Sequence, residues 1–233
     1  MLKLINDRAK RYDEWYETGI GKLCLLMESK AIFNLAGIKP GETALDLGCG
    51  TGVFSMEAAR RGAKTVGADS SPAMLAIAGS KAENSELPVS FLRADVERLP
   101  FSSQSLDLVL AVTVLCFIGQ PDAALREAFR VLKPGGRLVI GELNRKSYWA
   151  WLRRMKGWFK ASRYRHARFF SLSELNALLQ QAGFNPGRGE SLIFFPPLNS
   201  NFTLNHSERF EAIGTRFLPG GGAFMVVRAD KAC

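Results

Sequence analysis

Residues 44–52 read Ala44-Leu45-Asp46-Leu47-Gly48-Cys49-Gly50-Thr51-Gly52. Apolar Ala44, Leu45 and Leu47 surround Asp46, and three glycines then fall at every second position. A helical pattern follows through Arg61. The stretch predicts a buried strand, a glycine turn and a helix start. That places an open backbone loop and a helix N-terminus at the carboxyl edge of a parallel sheet, where α/β folds bind ligands. The spacing argues against a dinucleotide, whose fingerprint is G-x-G-x-x-G. Counted from Gly48, the third glycine of that fingerprint falls at Val53. Counted from Gly50, it falls at Ser55.

Further segments continue in register. Val66-Gly67-Ala68-Asp69 predicts a second strand ending in an acid, and Ser70-Ser71-Pro72-Ala73-Met74-Leu75 follows it. Phe91 to Val96, with Asp95, leads into Leu99-Pro100-Phe101. Leu106 to Leu110 predicts a fourth strand, and Arg126 to Leu132 runs into Lys133-Pro134-Gly135-Gly136. Together with D-x-G-x-G-x-G at Asp46 to Gly52, these segments resemble the motif series of class I S-adenosylmethionine-dependent methyltransferases. The resemblance is specific over residues 12–142. It implies a Rossmann-like α/β fold with a seven-stranded, mostly parallel sheet, an antiparallel last strand and helices on both faces. One such domain over residues 1–233 is expected, with a helical cap over about 1–36 and an insertion over about 145–168.

The spacing predicts strands near 43–47, 64–69, 89–94, 105–112 and 136–142, with closing strands near 190–195 and 223–229. Helices are expected near 53–61, 72–83, 121–132 and 173–182. Two more are expected before residue 36, broken at Gly19 to Gly21. The basic and acidic residues number 31 and 22, yet nine Lys/Arg and no acid lie between Arg145 and Arg168. The rest of the chain is balanced, so the excess is a local device and not a coat for nucleic acid. Tyr148 to Arg163 is amphipathic: Tyr148, Trp149, Trp151, Leu152, Met155, Trp158 and Phe159 form an apolar arc, with Arg153, Arg154 and Lys160 outside it. Three readings stay open for it: a cover over the active site, a contact with an anionic membrane surface or lipid-like substrate, and a contact with nucleic acid. The four cysteines show no paired or metal-ligand spacing. The N-terminus lacks a signal-peptide core, so reduced thiols and a cytoplasmic location are expected.

The cofactor implied by the resemblance is S-adenosyl-L-methionine, with S-adenosyl-L-homocysteine as product and no metal. In such a site Gly48 and Gly50 let the backbone approach the ligand, with Cys49 a small packing residue between them. Asp46 can accept from the ammonium and Asp69 from both ribose hydroxyls. The resemblance puts Asp95 on the adenine amine and the Val96 amide beside the ring, with Ser70, Met74 and Phe101 as ring walls. It also puts the carbonyl of Ala111 at the methionine amine. Arg11-Tyr12-Asp13-Glu14-Trp15-Tyr16 resembles the Y-D-x-W-[YF] opening of small-molecule members, so Tyr12 and Tyr16 are candidates to close over the cofactor.

The catalytic base is not legible. His166 is a weak candidate, His206 is expected to begin a helix, and Glu142 and Asn144 are not diagnostic. Neither the Asn/Asp-Pro-Pro-aromatic tetrapeptide nor the Pro-Cys dipeptide of nucleic-acid methyltransferases occurs. The expected acceptor is a small molecule, apolar or anionic. A nucleic-acid methyltransferase and a non-catalytic cofactor-binding regulator or assembly protein are the alternatives.

Overall fold

Apolar runs mark the strands of a parallel sheet, and five of them occur here, joined by helices except between the third and fourth. The computed structural model describes residues 13–159 and 167–232. After a helical turn at 13–17, the elements are α1 (Gly19–Ala36), β1 (Thr43–Leu47), α2 (Val53–Arg60), β2 (Lys64–Asp69), α3 (Pro72–Asn84), β3 (Val89–Arg93) and β4 (Leu106–Val112). A short 3-10 turn at Leu115–Phe117 precedes α4 (Pro121–Val131), β5 (Leu132–Leu143) and α5 (Tyr148–Phe159). The chain continues through α6 (Leu172–Gln181), β6 (Asn185–Pro186), β7 (Glu190–Leu192), α7 (Asn201–Asn205), α8 (Ser207–Phe217) and β8 (Phe224–Asp230).

The sheet order is β3-β2-β1-β4-β5-β8-β6, with β7 also on β8. The first five strands are parallel, and β8 runs antiparallel to β5, β6 and β7. The sheet therefore has seven positions but eight strands. Asn185 pairs Asp230 and Glu190 pairs Val226, so β6 and β7 form one edge interrupted by a one-residue shift in register. Strand order reverses between β1 and β4. That reversal opens a crevice at their carboxyl ends.

Alternate residues of the strands enter opposite cores. Leu45, Leu47, Val109 and Ala111 pack with Ala124, Leu125, Leu175 and Leu179. Ala44, Leu108, Leu110 and Val112 pack with Ile32, Phe33, Phe54 and Trp149. Local signals agree with the boundaries. Pro72 opens α3 behind a Ser71 cap, and Ser171 with Glu174 forms a capping box on α6.

Several elements differ from expectation: β6 was not foreseen, and β7 ends at Leu192 where a strand to 195 was expected. The N-terminal helix break lies at Thr18, whose side chain caps α1 by accepting from Gly21, so Gly19 and Gly21 sit inside the first turn. β5 begins at Leu132. The pairing shifts between Leu106/Leu132 and Leu108/Arg137, so Pro134, Gly135 and Gly136 form a bulge and not a turn before the strand. Helix α7 had no counterpart in the sequence pattern. Among the described residues no helix is long and apolar enough to cross a membrane.

Candidate cofactor and acceptor site

A cavity of about 1360 Å³ occupies the crevice at the carboxyl ends of β1 and β4. Its floor is the glycine turn. Gly48, Gly50 and Gly52 all adopt positive φ, at 68°, 53° and 78°. The amides of Gly48 and Cys49 donate to the Ala68 carbonyl at 2.7 and 3.0 Å, which folds the turn against β2. A Cβ on Gly48 would lie 2.2 Å from Val114 Cγ2, whereas one on Gly50 would meet no atom within 4 Å. Gly48 is thus required by packing, and Gly50 opens onto free space in the cavity.

Asp69 ends β2 beside this turn. Its Oδ2 accepts from the Gly50 amide at 2.9 Å and its Oδ1 from the Ser71 amide at 2.8 Å. The carboxylate is therefore oriented by the backbone while each oxygen keeps acceptor capacity. Asp46 is enclosed, and its Oδ2 accepts from the Ser55 hydroxyl at 2.6 Å. Burial pushes its pKa up to about 6, against the lowering effect of Ser55. Asp95 is exposed and its Oδ1 accepts from the Glu97 amide at 3.0 Å.

The cavity wall includes Asp46, Gly48, Cys49, Gly50 and Asp69 from the glycine-turn side. Ser70, Met74, Asp95, Val96 and Tyr16 are also on it. Burial raises the Cys49 thiol far above its usual range, so the thiolate is inaccessible there. Ala111 differs: its side chain is fully enclosed in the core, and the wall at the end of β4 is formed by Val112, Thr113 and Val114. β4 ends at Val112, as the spacing predicted, so the wall is built by that last strand residue and the two that follow it, not by Ala111. Phe101 is half-buried against the core behind β4 and is not on the wall. Tyr12 and His166 lie outside the described residues. The His206 ring stacks on Phe202 at 4.5 Å, away from the cavity. His206 stands at the start of α8, as the sequence suggested, without a side-chain cap hydrogen bond.

Glu142 near the end of β5 and Asn144 just after it hold structure together. Glu142 is fully buried and accepts from the Cys116 and Leu143 amides, both at 3.3 Å; burial raises its pKa to about 7. Asn144 donates to the carbonyls of Gly220 and Gly222 and so pins the loop before β8.

The part of the cavity between α1 and α5 was not legible. Cys24 and Glu28 reach it from α1, and Trp149 and Arg153 reach it from α5, with Phe54, Leu143, Ile193 and Phe224 as apolar wall. Arg153 was expected outside the apolar arc, yet its guanidinium lies 5.3 Å from the centroid of the Trp149 ring. The Trp149 indole donates to the Phe195 carbonyl at 2.7 Å, which locks this face of α5 inward. Arg153, one turn later, follows it. Tyr148, Trp151 and Met155 then turn outward: Tyr148 and Trp151 are 56% and 53% exposed, with stacked rings. The side chains of Trp158, Phe159 and Lys160 lie outside the described residues. A signal for Glu28 exists in the sequence. Ile20, Cys24, Glu28, Ile32 and Ala36 recur every fourth residue, and Glu28 is the acid in that otherwise apolar, buried row.

A methyltransferase domain family matches residues 45–140. The ubiquinone biosynthesis O-methyltransferase of Cereibacter sphaeroides is 32% identical over 164 residues, covering 67% of this chain. The match spans 65% of that enzyme's own length. An uncharacterized protein of Mycobacterium tuberculosis is 33% identical over 224 residues, 96% of this chain and 73% of that protein. A solved S-adenosylmethionine-dependent methyltransferase of Thermotoga maritima, described as a possible histamine N-methyltransferase, superimposes with a TM-score of 0.74. It is 27% identical, and the match covers 98% of each chain.

Proposed function

This chain belongs to the class I S-adenosylmethionine-dependent methyltransferases, and on that premise we propose that it methylates a small-molecule acceptor by direct displacement. The cofactor supplies the methyl group on a sulfonium; the protein supplies position and electrostatics. We assign the ribose hydroxyls to Asp69, the adenine edge to Asp95 and the Val96 amide, and the ring faces to Ser70 and Met74. Asp46 answers the ammonium, and Tyr16, with Tyr12 before it, closes the near side. The carrying observation is the pairing of Gly50 with Asp69. A left-handed glycine whose missing Cβ leaves open space stands beside a carboxylate held by two backbone amides. This is a cradle into which a side chain would intrude.

The cavity volume supports a second ligand. At about 1360 Å³ it exceeds the roughly 300–1,000 Å³ of a drug-sized site. Its wall carries Glu14, Glu28, Asp46, Asp69, Asp95 and Glu97, against Arg153 as the basic residue among the described ones. That balance favours an apolar acceptor over an anionic one, and it disfavours a phosphate backbone entering the cavity. The test is calorimetry with S-adenosylmethionine, S-adenosylhomocysteine and a nicotinamide dinucleotide. Micromolar binding of the first two and none of the third is expected; the reverse pattern refutes the reading.

The outer face of α5 supports a second role for the same segment. Exposed Tyr148, Trp151 and Met155 adjoin exposed Lys146 and Arg154, a pattern suited to an anionic interface. We assign this face to peripheral contact with an anionic surface, from which an apolar acceptor would reach the cavity. Cytoplasmic location is proposed on the three buried free thiols Cys24, Cys49 and Cys116, and fractionation of the native cell checks it.

A further inference from the structure

We infer that Glu28 is the residue that engages the methyl acceptor, and that the acceptor bears an O–H or N–H group at its reactive end on an apolar, ring-sized body. The inference rests on the methyltransferase reading and names the chemistry of its second ligand.

Three observations carry it. Glu28 lies on the cavity wall and is only 7% exposed. Among the described residues its carboxyl has no hydrogen-bond partner, although every other fully enclosed acid here has one. Asp46 has Ser55, and Glu142 has two backbone amides. The carboxyl therefore opens onto the cavity and not onto another protein group, which leaves it placed to meet a ligand there. Third, its surroundings are apolar and aromatic: Phe54, Trp149, Ile193 and Phe224 share the wall. Such a wall accepts a ring, and a single carboxyl in it selects a molecule that brings a proton donor.

The charged and titratable groups facing Glu28 are few. Arg153 on α5 acts on it directly. Cys24, one turn earlier on α1, feels Glu28, Arg153 and Glu211 of α8. Glu14 and Tyr16 border the same cavity. Burial outweighs Arg153 and raises the Glu28 pKa to about 8. That value lies close to neutrality, where a proton acceptor works best. In the reaction, the Glu28 carboxylate takes the proton from the acceptor's oxygen or nitrogen. The new carbon–heteroatom bond forms as the carbon–sulfur bond breaks, with its electron pair leaving on sulfur. The proton passes to solvent when the product leaves. Arg153, over the Trp149 ring, favours the ionised carboxylate through its charge.

The test uses isosteric probe pairs with S-adenosylhomocysteine present, followed by ligand-observed NMR. The first pair is 4-ethylphenol against 4-ethyltoluene; the second is 2-phenylethylamine against propylbenzene. In the wild type at least one donor is expected to bind about tenfold more tightly than its hydrocarbon partner. The phenol pair and the amine pair separate an oxygen from a nitrogen acceptor. In Glu28→Gln and Glu28→Leu the preference should fall to about threefold or less. The wild-type preference should grow between pH 6 and 9 while that of Glu28→Gln stays flat, which a purely structural glutamate would not produce. S-adenosylhomocysteine affinity, read by calorimetry on the same samples, should stay within about threefold of wild type. Glu28→Gln carries the test if Glu28→Leu does not fold. Equal binding within both pairs, no binding of any probe, or an undiminished preference in Glu28→Gln overturns the inference. Loss of S-adenosylhomocysteine binding in the wild type instead overturns the methyltransferase reading.

Discussion

Thr51 donates its hydroxyl to Asp13 across 2.7 Å, joining the glycine turn to the helical turn at 13–17. The other carboxylate oxygen of Asp13 pairs with Lys81 of α3 at 2.7 Å. One acid therefore ties the N-terminal segment to both the glycine turn and α3. Trp15 and Tyr16, packed edge to face at 5.0 Å, follow directly and border the cavity.

Asp13→Ala is expected to weaken S-adenosylhomocysteine binding by about 1 kcal/mol, roughly fivefold, because both contacts are partly exposed and solvent-screened. Amide exchange at residues 13–18 should quicken, with global stability changed by less than about 1 kcal/mol. Unchanged exchange in this segment would show that Asp13 does not hold it.

Asp69→Ala should cost about 2–4 kcal/mol of cofactor affinity, since it strands both ribose hydroxyls. It also releases the Gly50 and Ser71 amides, so stability should fall by about 1 kcal/mol. A folded variant that binds S-adenosylhomocysteine like wild type removes Asp69 from the site.

Gly50 and Gly48 predict opposite phenotypes. Gly50→Val points a branched side chain into open space, so the protein should fold, losing about 1–2 kcal/mol to the left-handed backbone. Cofactor binding should be abolished. Gly48→Ala drives a methyl into Val114 at a strained φ, and stability should fall by about 2–4 kcal/mol. Circular dichroism melts with calorimetry distinguish the two. A Gly50→Val protein that binds normally contradicts the placement of the cofactor.

Glu28 sets a pH dependence. Its folded pKa is raised from about 4.5 to about 8 by burial. Between these values the native chain keeps a proton that the unfolded chain has released, so stability falls as pH rises through this window. Asp46 and Glu142, raised to about 6 and 7, act in the same direction. Glu28→Gln removes one of the three contributions. Urea unfolding of the ligand-free protein should show the variant about 2–4 kcal/mol more stable relative to wild type at pH 8, with little difference at pH 4. Parallel stability curves for the two proteins across this range refute the shift.

The outer face of α5 is tested by Lys146→Gln with Arg154→Gln, both exposed and away from the cavity wall. Cofactor affinity should stay within about threefold, under 1 kcal/mol. Co-sedimentation with phosphatidylserine vesicles should fall, most at low salt. Tight RNA binding by the wild type that the double variant loses would move the segment to a nucleic-acid role.

The strand–turn–helix at 44–52 was readable because its demands are local. Buried strands need apolar runs, a turn at positive φ needs glycine, and helices that begin at Pro72 and Pro121 announce themselves through a fixed φ. The same locality marked Asp46 before the glycine turn and Asp69 at the end of a strand, while Asp95 was named through the family resemblance. Their partners could not be named in this way. Asp69 is oriented by the Gly50 amide, and Asp46 is held by Ser55 nine residues later, because a parallel sheet brings one edge of many loops together. The wall between α1 and α5 was out of reach for the same reason. Glu28 and Arg153 are 125 positions apart and meet only when α1 and α5 cover the same crevice. The helical period of α5 gave one broad apolar arc, with no means of telling which part of it would turn inward. The Trp149–Phe195 hydrogen bond chose, turning Arg153 inward and Trp151 outward, and a contact between residues 46 apart is a property of the fold and not of the segment.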